Sequence, residues 1–207
     1  MKQLMSIVMY TVVLSVVPTQ MALRAETGPN SRKLEDVVGE VLRKSGSTAG
    51  LEVIAGCDAK EPRVSTPLAR NTEESLNGLM RSEKALSWSK GPDSTYRTLI
   101  RYSADVPLSS IRIPAKHIEA QTVLLAADTL LSDPSVQAEL GKLGYSRSPE
   151  EIGFSPIRAQ TRTIDLPADT LGNDLMALAA KFGPSVWELD QRACGKMRTF
   201  RINWISR

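Results

Sequence analysis

Aromatic residues are scarce in this chain of 207: three Trp, four Tyr and three Phe, or 5%. Proteins that grip single-stranded nucleic acid need ring faces for stacking and Lys or Arg gathered on one surface. Here basic residues are interleaved with Asp and Glu along most of the sequence, so no nucleic-acid partner is expected. Histidine is scarcer still. His117 stands alone, and Cys57 and Cys194 are far apart, which does not supply the ligand spacing of a zinc or transition-metal site. The 13 glycines are dispersed rather than set as GxGxxG or GxxxxGK, so no phosphate-cradling loop is present. No serine occupies a GxSxG elbow. The acidic pairs Glu73-Glu74 and Glu150-Glu151 fall at expected helix starts, where the helix dipole accounts for them without acid/base chemistry. No catalytic, cofactor-binding or metal-ligating residue is therefore assigned; no cofactor is expected and no small-molecule substrate is identified.

Long apolar runs are also absent after residue 25. Before it, Lys2 precedes the uncharged stretch Leu4 to Val17, 14 residues long, which Pro18 interrupts ahead of the small residue Ala25. Fourteen helical residues fall short of the roughly 30 Å hydrocarbon core, and Ser6, Thr11 and Ser15 dilute the run. Residues 1–25 read as a secretory signal peptide cleaved after Ala25, with Ala22 the second choice, rather than a retained anchor. The expectation is a periplasmic or secreted protein that meets a membrane only during export. Two of the 26 basic residues and no acid lie in this stretch, so the formal charge of +3 falls to +1 without it. The one basic concentration, Arg192, Lys196, Arg198, Arg201 and Arg207, reads as the solvated face of a strand pair in preference to an anion-docking surface.

Export changes the reading of the cysteines. Two of them in an oxidising compartment permit one bond, Cys57 to Cys194, and two buried free thiols are the other reading. A CxxC spacing is absent, and no histidine adjoins either residue.

What is present is an alternation of helix and strand patterns. After a flexible entry segment, 26–33, Leu34, Val37, Val38, Val41 and Leu42 mark one helix face, stopped by Ser45-Gly46. Leu51 to Ile54 and Arg63 to Leu68 read as short strands. Thr72 is expected to cap a second helix with a buried stripe of Leu76, Leu79 and Met80. Leu86 to Ser89 and Tyr96 to Ile100 form a hairpin about Gly91-Pro92-Asp93. In 102–161 the pattern predicts a helical insert: one helix over 115–131, whose Leu124 and Leu125 are expected to be buried, one opened by Asp133-Pro134, and a capping-box-like turn at Ser148-Pro149-Glu150-Glu151. His117 is expected at the surface of the first of these helices.

The segment 34–101 resembles the short domain found at the N-terminus of secretins and TonB-dependent receptors (STN). The residues that carry the likeness are Leu34-Glu35-Asp36-Val37-Val38, Ser45-Gly46, Thr72-Glu73-Glu74-Ser75-Leu76-Asn77-Gly78-Leu79-Met80 and the closing hairpin. Ser75 stands where that family usually has Ala and Met80 where it has Leu, and the family's leading strand is not evident before Leu34. Residues 162–207 are similar to the opening of the same domain, from Arg162-Thr163-Ile164-Asp165-Leu166-Pro167-Ala168 through Leu171, Leu175, Leu178 and Phe182-Gly183. Independently of any family, Leu34 and Leu171, Lys44 and Lys181, Gly46 and Gly183, and Cys57 and Cys194 are all displaced by 137, which suggests an internal repeat. The second copy ends before a second helix, as half a module that completes its sheet elsewhere.

The fold expected is α+β, with small open sheets each packed by helices and a helical insert between two STN-like modules. The resemblance implies a non-enzymatic interaction module that binds periplasmic or envelope proteins. Val64, Leu68, Trp88, Tyr96, Thr98 and Ile100 are the candidate interaction edge, since short open sheets expose unpaired backbone groups. Two rivals stand beside it. One is a small periplasmic enzyme with Asp165, Asp190 or His117 as acid or base, and the other is a truncated remnant of a larger envelope receptor.

Overall fold

Two strands that begin where the expected helices stop form the centre of the protein. The computed structural model describes residues 31–64, 70–148, 160–183 and 185–205; the expected signal peptide, Leu68, the Pro149-Glu150-Glu151 turn and Arg207 lie outside the described residues. In the first half β1 (Arg32–Lys33) leads into α1 (Leu34–Ser45), β2 (Ala49–Gly56) and β3 (Arg63–Val64), followed by α2 (Thr72–Ser82) and the hairpin β4 (Leu86–Lys90) with β5 (Tyr96–Arg101). Helix α1 forms because Leu34, Val37, Val38, Val41 and Leu42 share one buried face, while Glu35 and Asp36 meet the positive end of its dipole. Gly46, at φ 73°, takes the left-handed conformation that ends it. Strand β1 is not evident in the sequence; it converts the end of the expected entry segment into a two-residue ribbon with β3.

Helix α2 corrects two details. Its cap is Asn71, one residue earlier than Thr72, whose side-chain oxygen accepts a 2.8 Å hydrogen bond from the Glu74 amide. Leu76 and Leu79 are buried, but Met80 is 40% exposed, because it falls at the flank of the helix rather than over the sheet.

The middle segment supplies β6 (Arg112–Ile113), β7 (Lys116–Ala120), α3 (Val123–Ser132), α4 (Pro134–Lys142) and β8 (Tyr145–Arg147). The helix expected over 115–131 therefore starts only at Val123, capped by Thr122. Its first part is a strand, since Ile118 and Ala120 point inward while His117 and Glu119 point out, a period of two rather than 3.6. Leu124 and Leu125, in the first turn of α3, are exposed at 48% and 39%, and the buried face is carried instead by Ala126, Ala127, Leu130 and Leu131. The Asp133-Pro134 start is observed, with Asp133 accepting from the Ser135 amide at 2.8 Å. The last elements are β9 (Arg162–Leu166), β10 (Asp169–Thr170), α5 (Leu171–Phe182), β11 (Val186–Cys194) and β12 (Met197–Ile205).

The result is an α+β fold. Three ribbons of two strands, β1 with β3, β6 with β10 and β7 with β9, flank an open six-stranded sheet ordered β4-β5-β2-β11-β12-β8. The sheets of the two similar segments are thus joined edge to edge. Strands β2 and β11 pair in parallel with Ala49 beside Val186 and Gly56 beside Ala193, so the offset of 137 is also the pairing register. One step further along the ladder, Cys57 and Cys194 form a disulfide with Cα atoms 5.1 Å apart.

The two similar segments bury their helices on opposite faces. Ala49, Leu51 and Val53 of β2 enter a core with α1 and α2, through Leu34, Val38, Leu42, Leu76 and Leu79. Trp187 and Leu189 of β11, with Phe200 and Ile202 of β12, enter a second core with α3, α4 and α5. Side-by-side residues of paired strands share a face, so the inward parity shifts by one residue between β2 and β11. Each helix spans the seam, α1 and α5 both touching β2 and β11.

Candidate functional site

The residues proposed as an interaction edge scatter on folding. Val64 is buried in the small β1–β3 ribbon. Tyr96, Thr98 and Ile100 lie on β5, and β5 is not an edge: β4 pairs with one side of it and β2 with the other. All three are buried. The Thr98 hydroxyl donates to the Gly50 carbonyl at 2.9 Å, so substitution there perturbs the fold rather than a docking surface. Of the six, only Trp88 lies on the true edge strand, β4.

The hydrogen-bond pattern defines what that edge presents. Arg101 N bonds to the Ala85 carbonyl and Gly91 N to Thr95, so the alternate β4 residues Ser87 and Ser89 carry the ladder to β5. The amide and carbonyl of Trp88 and the amide of Lys90 then point away from the sheet. Trp88 is held in place, its indole N–H donating to Asn77 Oδ1 at 3.2 Å and its ring tilted against Tyr96.

On the face opposite α2, this edge borders a cleft of about 300 Å³, bounded by Gly50, Glu52, Ser87, Leu99, Pro107, Ser109 and Trp187 among others. The wall is the segment around the 3-10 turn Leu108–Ser110, and buried polar groups fix it to the sheet. Glu52 accepts from the Ser109 amide at 3.0 Å and from its hydroxyl at 2.5 Å. Gln191, fully buried, accepts from the Leu108 amide at 2.8 Å and donates to the Val106 carbonyl at 3.1 Å. Burial raises the Glu52 pKa, and the two Ser109 hydrogen bonds oppose the shift. Gly172 lets α5 approach this wall, since a Cβ there would meet Ser109 at 2.9 Å. None of these anchors was legible beforehand. Glu52 sits in Leu51-Glu52-Val53-Ile54, which reads as a strand with one wet face, and β2 is instead covered on both faces.

The acid/base candidates do not converge. His117 and Asp165 do meet, as cross-strand partners of β7 and β9 with Nδ1 to Oδ1 at 2.7 Å, but their side chains are 62% and 83% exposed. The Asp165 carboxylate raises the His117 pKa. Asp190 lies elsewhere, on β11, with Arg192 at 2.9 Å and Arg201 at 3.6 Å. Of the basic cluster, Arg192 also pairs with Glu61 at 2.8 Å, and Arg198 with Asp105 at 3.1 Å. Among the described residues no three His, Cys, Asp or Glu side chains group as a metal site, and no helix is long and apolar enough to cross a membrane.

One buried acid stands apart. Asp174 of α5 is 1% exposed with Oδ2 unbonded, and burial together with Asp169 pushes its pKa up to about 7. A raised carboxyl pKa means the folded state holds its proton where the unfolded chain has released it, so this group's contribution to stability declines as pH rises from about 4 through 7. Asp174→Asn is expected to gain on the parent progressively over that interval, reaching on the order of 4 kcal/mol at pH 8. Urea titrations at pH 4, 6 and 8 check this; an advantage independent of pH contradicts it.

No protein-family model, no curated protein and no solved structure matches the chain.

Proposed function

We infer that the chain is an exported, non-enzymatic interaction module that accepts an extended segment of an envelope protein as a seventh strand on β4. The observation that supports this most strongly is the outward row of β4 backbone groups, left without partners among the described residues beside a cleft that leaves room for side chains. The opposite edge, β8, is shorter, at three residues. The Cys57–Cys194 bond supports a location outside the reducing cytosol. The STN-like pattern of 34–101 supports the same reading, since that resemblance implies contact with periplasmic partners.

A photo-crosslinking residue at Ser89 of β4, compared with one at Ser146 of β8, tests the proposal in intact cells. Discrete adducts from Ser89 and none from Ser146 are expected. Equal labelling from both positions, or none from Ser89, contradicts it. Mass analysis of the purified mature chain tests export, with Glu26 the expected first residue.

A further inference from the structure

The face of β5 that looks into the cleft carries Arg97, Leu99 and Arg101, with Arg97 and Arg101 exposed and Leu99 half-buried. Neither arginine has a carboxylate within ion-pair distance among the described residues. Arg97 donates to the uncharged Asn173 Oδ1, and two acids that feel these arginines, Glu52 for Arg101 and Asp169 for Arg97, are bonded elsewhere. Glu52 binds Ser109, and Asp169 accepts from the Thr170 amide at 2.7 Å and the Asn173 side chain at 2.6 Å. Between this row and the open edge stand only Ser87 and Ser89, which face Leu99 and Arg97 across the ladder. Ala85 bonds opposite Arg101 at 2.9 Å.

Small residues on β4 leave the row uncovered. A strand added to β4 lies two strand spacings, about 10 Å, from β5, a gap that an Arg and a Glu side chain reaching toward each other over a serine can close. Glu52 lies beside Leu99 on β2 but is turned to Ser109, and the neighbouring cleft surface of Gly50, Pro107 and Trp187 suits an apolar side chain.

We propose that the occupant of the β4 edge is an extended segment with the pattern acidic-x-apolar-x-acidic, its three same-face side chains meeting Arg101, Leu99 and Arg97. The inference rests on the docking role proposed above for β4 and specifies its partner. Because the pattern reads alike in both directions, it fits a parallel or an antiparallel strand.

The test uses the disulfide-intact mature protein and three fluorescein-labelled peptides read by anisotropy. The first carries Glu-Thr-Leu-Thr-Glu between flanking threonines, the second has Lys in place of both Glu, and the third is the first with alternate backbone nitrogens methylated so that it cannot pair with β4. The acidic peptide is expected to bind at least tenfold more tightly than the lysine peptide, the double variant R97E/R101E to invert that order, and the methylated peptide to bind at least tenfold more weakly than its parent. Binding that methylation weakens but that is indifferent to Glu or Lys overturns the charge pattern and leaves edge docking standing. Binding that methylation does not affect overturns edge docking itself, and no binding of any peptide at 1 mM overturns both.

Discussion

Replacing Cys57 or Cys194 with serine is expected to destabilise the protein by about 5 kcal/mol, the chain-entropy value for a crosslink that closes a loop of 137 residues. The Cα separation of 5.1 Å is that of residues side by side on adjacent strands, so the native backbone accommodates the bond without rearrangement. Its effect should therefore fall on the unfolded chain, which gains the freedom of everything between β2 and β11. Urea unfolding of the parent with and without reductant, alongside the double serine variant, measures it. Reductant should shift the parent midpoint to that of the variant and leave the variant unmoved. A difference below about 1 kcal/mol would mean that the ladder alone already constrains the two halves in the denatured state.

Gly50→Ala is expected to cost about 2 to 3 kcal/mol, despite adding a single methyl group. The Trp187 indole lies directly over Gly50, and a Cβ would collide with ring atoms Cζ2, Cε2 and Cη2. The ring has little freedom to retreat, being 3% exposed and donating from Nε1 to the Met176 sulfur at 3.2 Å. Trp187 emission should shift to the red as the ring is displaced, and Trp187→Leu in the same chain should recover part of the loss. Gly78→Ala provides the contrast. Nothing lies within 4 Å of a Cβ there, and its place inside α2 predicts a gain of up to about 1 kcal/mol from helix propensity. Equal costs at the two glycines would show that the clash with Trp187 is not what Gly50 avoids.

Local signals in the sequence carried far. The apolar spacing of Leu34 to Leu42, the Gly46 stop, the Gly91-Pro92-Asp93 turn and the Asp133-Pro134 start each depend on neighbouring residues alone, and each corresponds to an element of the fold. The failures occur where long-range pairing overrides local pattern. Ile118 and Ala120 fit a helix continuing into Leu124, and only the presence of β9 beside them makes them a strand. Tyr96, Thr98 and Ile100 read as half of an exposed hairpin because β2, more than 40 residues earlier, gives no local sign that it will take the other side of β5. The repeat offset was visible as four matched residues. That it would also be the register of the central pairing, with the helices of the two segments on opposite faces, depends on geometry that a one-dimensional comparison does not contain.

The parallel junction of β2 and β11 has a consequence for how the chain reaches its final state. The segment before β6 can form α1, α2 and the β4–β5 hairpin, yet the side of β2 that will receive β11 stays open until residues 186–194 have been made, more than 130 positions later. Throughout that interval it presents an unsatisfied ladder to any other strand in its surroundings. Assembly is accordingly gated by the arrival of β11, and a chain cut short before Val186 is left with a sticky interior seam instead of a smaller finished domain.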